Sequence, residues 1–311
     1  MTIESKTVNS KLTMGPILFN WSAEEKRDFY FRIADEAPVD VVYVGEVVCS
    51  KRDIFLTPVL PEIIERLQAA GKNVVISTLA LIMNERESTA LREIVGMPDI
   101  MIEANDFATT DMLAGRPHIV GPYVNVYNEG TLGYLAGKGA SRACLPVELP
   151  GTAVRQLAGM NICDIEVQAW GRMPLAISAR CYHARSHGLH KDACQYVCDL
   201  DPDGLDVQTV DKQPFLTVNG TQTLSSSCLD LLAELKDLAA SGVNHFRLSP
   251  QTTDMVKVAE VFRDVLDDVS DPAEGEARLA ALDTGLVSAN GFIHGDEGWR
   301  QINQPQESPL T

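Results

Sequence analysis

The chain has 311 residues, 45% hydrophobic and 22% charged, which suits one large α/β domain or two ordinary ones and excludes a disordered or fibrous protein. Its 43 acidic and 26 basic side chains leave a formal net charge of −17. Such a surface repels phosphate backbones and anionic lipid faces, so neither nucleic-acid binding nor direct membrane insertion is expected. No run approaches the length of a membrane span, and the first residues lack a basic start followed by an apolar stretch. Seven cysteines, an odd number, then point to a reducing, cytoplasmic setting.

Residues 1–14 are polar at first and are expected to be a flexible N-terminus. A first strand is predicted at 16–19 (PILF). The helix over 22–37 opens with Ser22 and carries Glu25 three residues on, a capping-box spacing. Strands follow at 39–45 (VDVVYVG), 73–78 (NVVIST), 99–104 (DIMIEA), 118–126 (HIVGPYVNV), 143–147 (ACLPV) and 164–170 (DIEVQAW). The helix over 61–72 starts at Pro61 and ends at Gly71. Later strands are predicted at 214–220 (PFLTVNG) and 245–250 (HFRLSP), with helices over 227–242 and 253–268. Strands apolar on both faces, alternating with helices, predict a parallel sheet. Eight or nine of them predict a TIM-barrel-like (β/α)₈ fold in one domain over 15–269, with an open doubly wound sheet as the alternative. The polar stretch 181–213 reads as an inserted cysteine-bearing loop, and 270–311 as an acidic, poorly packed C-terminal extension.

Within that insertion the run CYHARSHGLHKDACQYVC places Cys181, Cys194 and Cys198 together. Grouped thiols in a reducing compartment point to metal, since thiolates are soft ligands for zinc or iron–sulfur clusters. Cys194 and Cys198, four apart, would share one side of a helical turn. A fourth ligand must come from Cys49, Cys144, Cys163 or Cys228. Cys49 is favoured, because GEVVCSKR follows a strand, and strand ends build the functional rim of a barrel. Cys144 and Cys163 fall in apolar strands and Cys228 opens a helix, so these three read as small buried hydrophobes. Zinc on the three loop cysteines with His183, His187 or His190 remains open, as does a Cys194–Cys198 disulfide. The spacing indicates metal more firmly than iron.

Taken together, GEVVCSKR (45–52), STLAL (77–81), IEANDFA (102–108), PVEL (146–149), SARCYHARSHGLHKDACQYVC (178–198) and RLSPQ (247–251) resemble the UbiV family. These are accessory proteins of oxygen-independent ubiquinone biosynthesis in the collagenase-like unassigned-peptidase superfamily. The resemblance runs from about Gly15 to about Asp267 and does not cover the residues after Asp268. It implies a bacterial cytoplasmic protein with a barrel-like fold and an oxygen-sensitive [4Fe–4S] cluster on Cys49, Cys181, Cys194 and Cys198. It further implies a heterodimer with a homologous UbiU-like subunit, a lipid-binding ubiquinone biosynthesis factor as a further partner, and ring hydroxylation with prephenate as oxygen donor. A cluster that only scaffolds the partner, or a zinc-bearing hydrolase, are the alternatives. Proteolysis is disfavoured, because neither HExxH nor GxSxG occurs.

A cluster on four thiolates is anionic, so nearby cations would tune it and hold a dicarboxylate donor. Arg52, Arg180 and Arg247 are the candidates, with Lys51 and Arg185 beside them. Glu46, Glu103, Glu148 and Glu166 lie in or just after strands, and Glu46 is preferred for its place three residues before Cys49. Asn125, Tyr127 and Asn128 are candidates for the barrel mouth.

Overall fold

The computed structural model describes residues 10–282 and 284–303. The chain enters through β1 (Lys11–Met14), α1 (Ala23–Glu36), β2 (Val41–Val44), α2 (Asp53–Leu56) and α3 (Leu60–Ala69). It continues through β3 (Asn73–Ser77), α4 (Glu85–Val95), β4 (Met101–Ala104), α5 (Phe107–Met112), β5 (His118–Val120), α6 (Glu129–Gly137), β6 (Ala140–Cys144) and α7 (Gly151–Gly159). Then come β7 (Asp164–Ile177), α8 (Tyr182–Ser186), β8 (Leu205–Gln208), β9 (Pro214–Asn219) and β10 (Gln222–Asp230). The last elements are α9 (Leu235–Ala240), β11 (His245–Leu248), α10 (Met255–Leu266), α11 (Pro272–Ala280) and β12 (Ser288–Ala289).

Strands β1 to β7 pair in order, all parallel, and β11 pairs in parallel with both β7 and β1. That last double pairing closes an eight-stranded barrel. An open sheet would leave two of these strands as edges, so the doubly wound alternative is excluded. Successive side chains of a strand point to opposite faces, and the sequence obeys this. Leu12, Met14, Val42 and Val44 face outward into the main hydrophobic core beneath the helices. Thr13 and Tyr43 face inward, and both bond Glu166 in the barrel interior. The capping box of α1 forms as the spacing requires. Glu25 N–H donates to Ser22 Oγ at 3.2 Å, and Ser22 N–H donates to Glu25 Oε2 at 2.8 Å.

Several boundaries differ from the sequence reading. The first barrel strand is Lys11–Met14, not 16–19, so the chain is already structured within the segment expected to be a flexible N-terminus. Residues 1–9 lie outside the described residues. The stretch 214–220 is not a barrel strand. It forms β9, which with β8 and β10 makes an antiparallel extension of the sheet. β7 joins the two parts, because its first half pairs with β6 and β11 and its second half pairs antiparallel with β10. Cys228 therefore sits in β10 rather than opening a helix, and the helix begins only at Leu235. Cys163 precedes β7 instead of lying inside a strand.

The segment after 270 is packed, not a loose tail. α11 is capped by Asp271, whose side chain accepts from Glu274 N–H. Leu279 and Ala289 are buried, and Phe292 and Ile293 pack against the main core. β12 adds in parallel to β10. The part of the expected extension beyond Asn303 lies outside the described residues. Among those described, no helix is long and apolar enough to cross a membrane.

Candidate metal centre

Three separate pieces of chain build the centre, two following the barrel strands β2 and β7 and one from the antiparallel extension of the sheet. The first is the loop after β2. Gly45 has φ +129°, and a Cβ there would lie 2.3 Å from Ser77 O, so glycine is required where the chain turns past β3. Glu46 then folds the loop back on itself. Its Oε1 accepts from the backbone N–H groups of Val48 and Cys49, both at 2.9 Å. This fixes the start of the 3₁₀ turn Ser50–Arg52, for which Cys49 is the N-cap residue.

The second piece follows β7. Cys181 caps α8, and its Sγ accepts from Ala184 N–H at 3.3 Å. Cys194 and Cys198 do not share one helical turn. They flank a kink at Gln195 and Tyr196, whose φ values of 50° and 57° are left-handed, between two short 3₁₀ turns. The kink is held by the edge-on contact of Tyr196 with Phe55, at 5.1 Å. Lys51 Nζ ties the first loop to the second by donating to Lys191 O at 2.6 Å.

The third piece is the tip of the β9–β10 hairpin. Thr221 Oγ1 donates to Val48 O at 2.8 Å, Thr221 O accepts from Ser178 N–H at 2.9 Å, and Gly220 O accepts from His183 N–H at 3.4 Å. At Gly220 (φ +62°) a Cβ would lie 2.6 Å from Arg52 Nη2, so an added side chain must displace that buried guanidinium.

Cys49, Cys181, Cys194 and Cys198 line one pocket, with Arg52 and Gly220 in its wall. Cys181 and Cys198 are buried, Cys49 and Cys194 half-buried. Burial pushes the Cys49 thiol up to about 11, opposed by Arg52, and pushes Cys181 up as well. Thiols held protonated are poor nucleophiles at neutral pH. Among the described residues, no three of these sulfurs lie within 4.8 Å of one another. A single zinc with Zn–S of about 2.3 Å would draw tetrahedral sulfurs to about 3.8 Å apart. A cluster with an iron at each of four corners holds its thiolates farther apart than one zinc does, and an all-sulfur donor set suits either centre. The remaining cysteines stand elsewhere. Cys144 ends β6 and Cys228 lies in β10, both buried with thiols pushed up by burial. Cys163 is pushed up to about 11 by burial.

No histidine lines this pocket. His183 is buried with Nε2 2.9 Å from Asp201 Oδ2, and its ring stacks on that of His187 at 5.8 Å. His183, His187 and Asp201 offer three ligand atoms within 4.8 Å of one another. His190 is exposed.

The candidate cations separate sharply. Arg52 is 1% exposed and donates to Leu18 O and to Asn219 Oδ1, both at 2.8 Å. Arg247 is buried inside the barrel, its Nη2 2.6 Å from Glu103 and its Nε 3.0 Å from Glu166. Arg180 and Arg185 are exposed. Burial pushes Glu166 up, but Arg247 and Arg142 outweigh it and hold the carboxyl well below the usual range. Glu148 accepts from the Tyr127 hydroxyl at the surface. Asn128 caps α6 and Asn125 is a left-handed residue closing a 3₁₀ turn, while Tyr123 is the neighbour that reaches the barrel mouth. Sequence reasoning missed Asn219, Gly220 and Thr221, although Asn-Gly after an apolar run is a hairpin signal. It also missed Lys26 in α1, 2% exposed, whose Nζ has no hydrogen-bond partner among the described residues. Nothing in the sequence marks that lysine.

Several solved structures resemble this one. Dihydropteroate synthase from Thermus thermophilus matches at 11% identity and TM-score 0.42, over 84% of this chain and 94% of that one. Phospho-2-dehydro-3-deoxyheptonate aldolase from Thermotoga maritima matches at 12% and 0.41, over 90% and 71%. The tryptophan synthase complex from Pyrococcus furiosus matches at 11% and 0.39, over 88% and 97%. The family model of peptidase family U32 matches residues 27–301, nearly the whole of the barrel and its insertion, and the chain belongs to that family.

Proposed function

We propose that the pocket of Cys49, Cys181, Cys194 and Cys198 holds a [4Fe–4S] cluster. On this reading the protein is the iron–sulfur subunit of a heterodimer that supports dioxygen-independent ring hydroxylation in ubiquinone biosynthesis, as the UbiV resemblance implies, with prephenate as the oxygen donor. The observation that carries the reading is the convergence of four cysteines from sites up to 149 positions apart, 49 to 198, on one pocket, while the other three cysteines stay away from it. The family by itself names a peptidase, but burial pushes the Cys49 and Cys181 thiols up, away from an activated nucleophile. When bound, the cluster supplies one-electron chemistry. The chain's own part is to hold four thiolates, through the Glu46 clasp, the Ala184 N–H and the hairpin tip.

Iron, sulfide and zinc content after purification without oxygen tests this, with the visible spectrum read before and after air. About four irons and four sulfides per chain and a broad absorbance that bleaches in air are expected. Alanine at any of the four positions should strip most of the iron, and Cys144→Ala should keep it. Normal iron in two of the four variants would sink the assignment. One observation favours a second reading, a zinc-bearing hydrolase: the His183, His187 and Asp201 group. One zinc per chain that survives Cys194→Ala but not His187→Ala would establish it instead.

A further inference from the structure

The walls of the cysteine pocket contain an electrostatic imbalance. Arg52 and Lys26 are 1% and 2% exposed, among the largest fully buried side chains of the protein. Arg52 bonds two neutral oxygens, Leu18 O and Asn219 Oδ1, and its Nε has no partner among the described residues. Lys26 Nζ has none there either. Two acids stand near. Glu46 is engaged by the backbone N–H groups of Val48 and Cys49. Asp53 is pushed up to about 7, by burial first and then by Glu46, so its charge is partly withheld near neutrality. Burial lowers Lys26, and Glu46 is the strongest favourable charge on both cations, followed on Arg52 by the Cys198 and Cys49 sulfurs. Two buried cations thus share one carboxylate already engaged by backbone N–H groups and a second whose charge is partly withheld, and buried charge short of its counterion costs several kcal/mol.

We infer that Arg52 and Lys26 are the built-in countercharge for an anionic metal–thiolate centre in this pocket, and that they set its reduction potential. The inference rests on the cluster reading and deepens it. A [4Fe–4S]²⁺ core on four thiolates carries a net charge of about −2, which two buried cations balance. One-electron reduction adds a further negative charge to the cluster, and fixed positive charge favours that reduced state. Arg52 contributes a permanent charge from the pocket wall, and Lys26 contributes from the buried side of α1. They are positioning residues, since neither is a ligand.

The test compares wild type, Arg52→Gln, Arg52→Lys and Lys26→Met, purified without oxygen, by redox titration of the cluster and by melting of the metal-free proteins. Arg52→Gln should lower the reduced-to-oxidised ratio at a fixed applied potential by about tenfold, or about 59 mV for one electron. Arg52→Lys should stay near wild type, and Lys26→Met should fall between. Without metal the order reverses: Lys26→Met should melt higher than wild type, because it removes a buried charge that no hydrogen bond supports. Loss of iron in Arg52→Gln with retention in Arg52→Lys would support the same conclusion. Ratios within about twofold of wild type in every variant that retains iron, or a metal-free Lys26→Met protein that melts no higher than wild type, would overturn it. Wild-type protein that binds no iron would instead sink the cluster reading itself, an outcome told apart by metal content alone.

Discussion

Two buried arginines show how differently the two halves of this molecule are finished. Arg247, inside the barrel, lies between Glu103 and Glu166 and rests on the face of Tyr43, 4.1 Å from the ring centre. Arg142 stands 3.7 Å from Glu166, so two carboxylates face two guanidinium groups. Arg52, in the wall of the cysteine pocket, is just as buried, but its hydrogen bonds go to two neutral oxygens and the Glu46 carboxylate acts on it without a direct bond. The barrel interior is electrically complete as the chain folds. On the proposed reading, an anionic centre completes the pocket.

Breaking the self-contained half should cost most. Arg247→Met strands two buried glutamates, and removing one partner of such a network typically costs about 3–5 kcal/mol. Denaturant melts should show that loss equally with and without metal. A loss confined to the metal-loaded protein would erase the distinction between the halves. Gly220→Ala and Gly71→Ala make the next comparison. Both glycines are left-handed, at φ +62° and +78°, so each change carries a strain of about 1 kcal/mol. Only at Gly220 would the new Cβ meet a neighbour, the Arg52 guanidinium, while Gly71 has nothing within 4 Å. Iron content should fall in the first variant and hold in the second. Equal iron in both would mean that Arg52 does not need its place.

The smallest effect is expected away from both regions. Burial pushes Asp230 up to about 6 from an ordinary 3.8. Its folded-state value is raised, so its contribution to stability is full below about pH 4 and is lost as pH rises through about 6. Asp230→Asn should leave the melting temperature near wild type at pH 4 and raise it by about 2–4 °C at pH 8. A larger gain at pH 4 than at pH 8 would contradict the assignment.

Much of this was legible because the signals were local. The capping box at Ser22 and Glu25, Pro61 in the first turn of α3, and the runs that became β2, β3, β4 and β7 each depend on neighbours in sequence. β1 escaped because a four-residue strand beginning at Lys11 carries little apolar signal, and its stability comes from pairing with β11 more than two hundred residues away. The C-terminal segment escaped because its apolar contacts are few and widely spaced: Leu279, Ala289, Phe292 and Ile293 reach the core from a polar background. Cys49 lines the pocket with the three loop cysteines, in keeping with its position after a strand. The reason it reaches them was invisible, since the hairpin tip at Gly220 and Thr221 joins the two loops only in three dimensions.

The sequence by itself determined the alternation of strands and helices, the caps, and the supply of thiols, because propensity, periodicity and ligand chemistry are properties of residues and their near neighbours. Closure of the barrel through β11, the meeting of the four cysteines, and the pairing of Arg247 but not Arg52 were decided by tertiary structure alone. Whether a buried charge finds a partner depends on which distant side chains the fold brings within a few ångström, and in a low-dielectric interior that distance sets the energy.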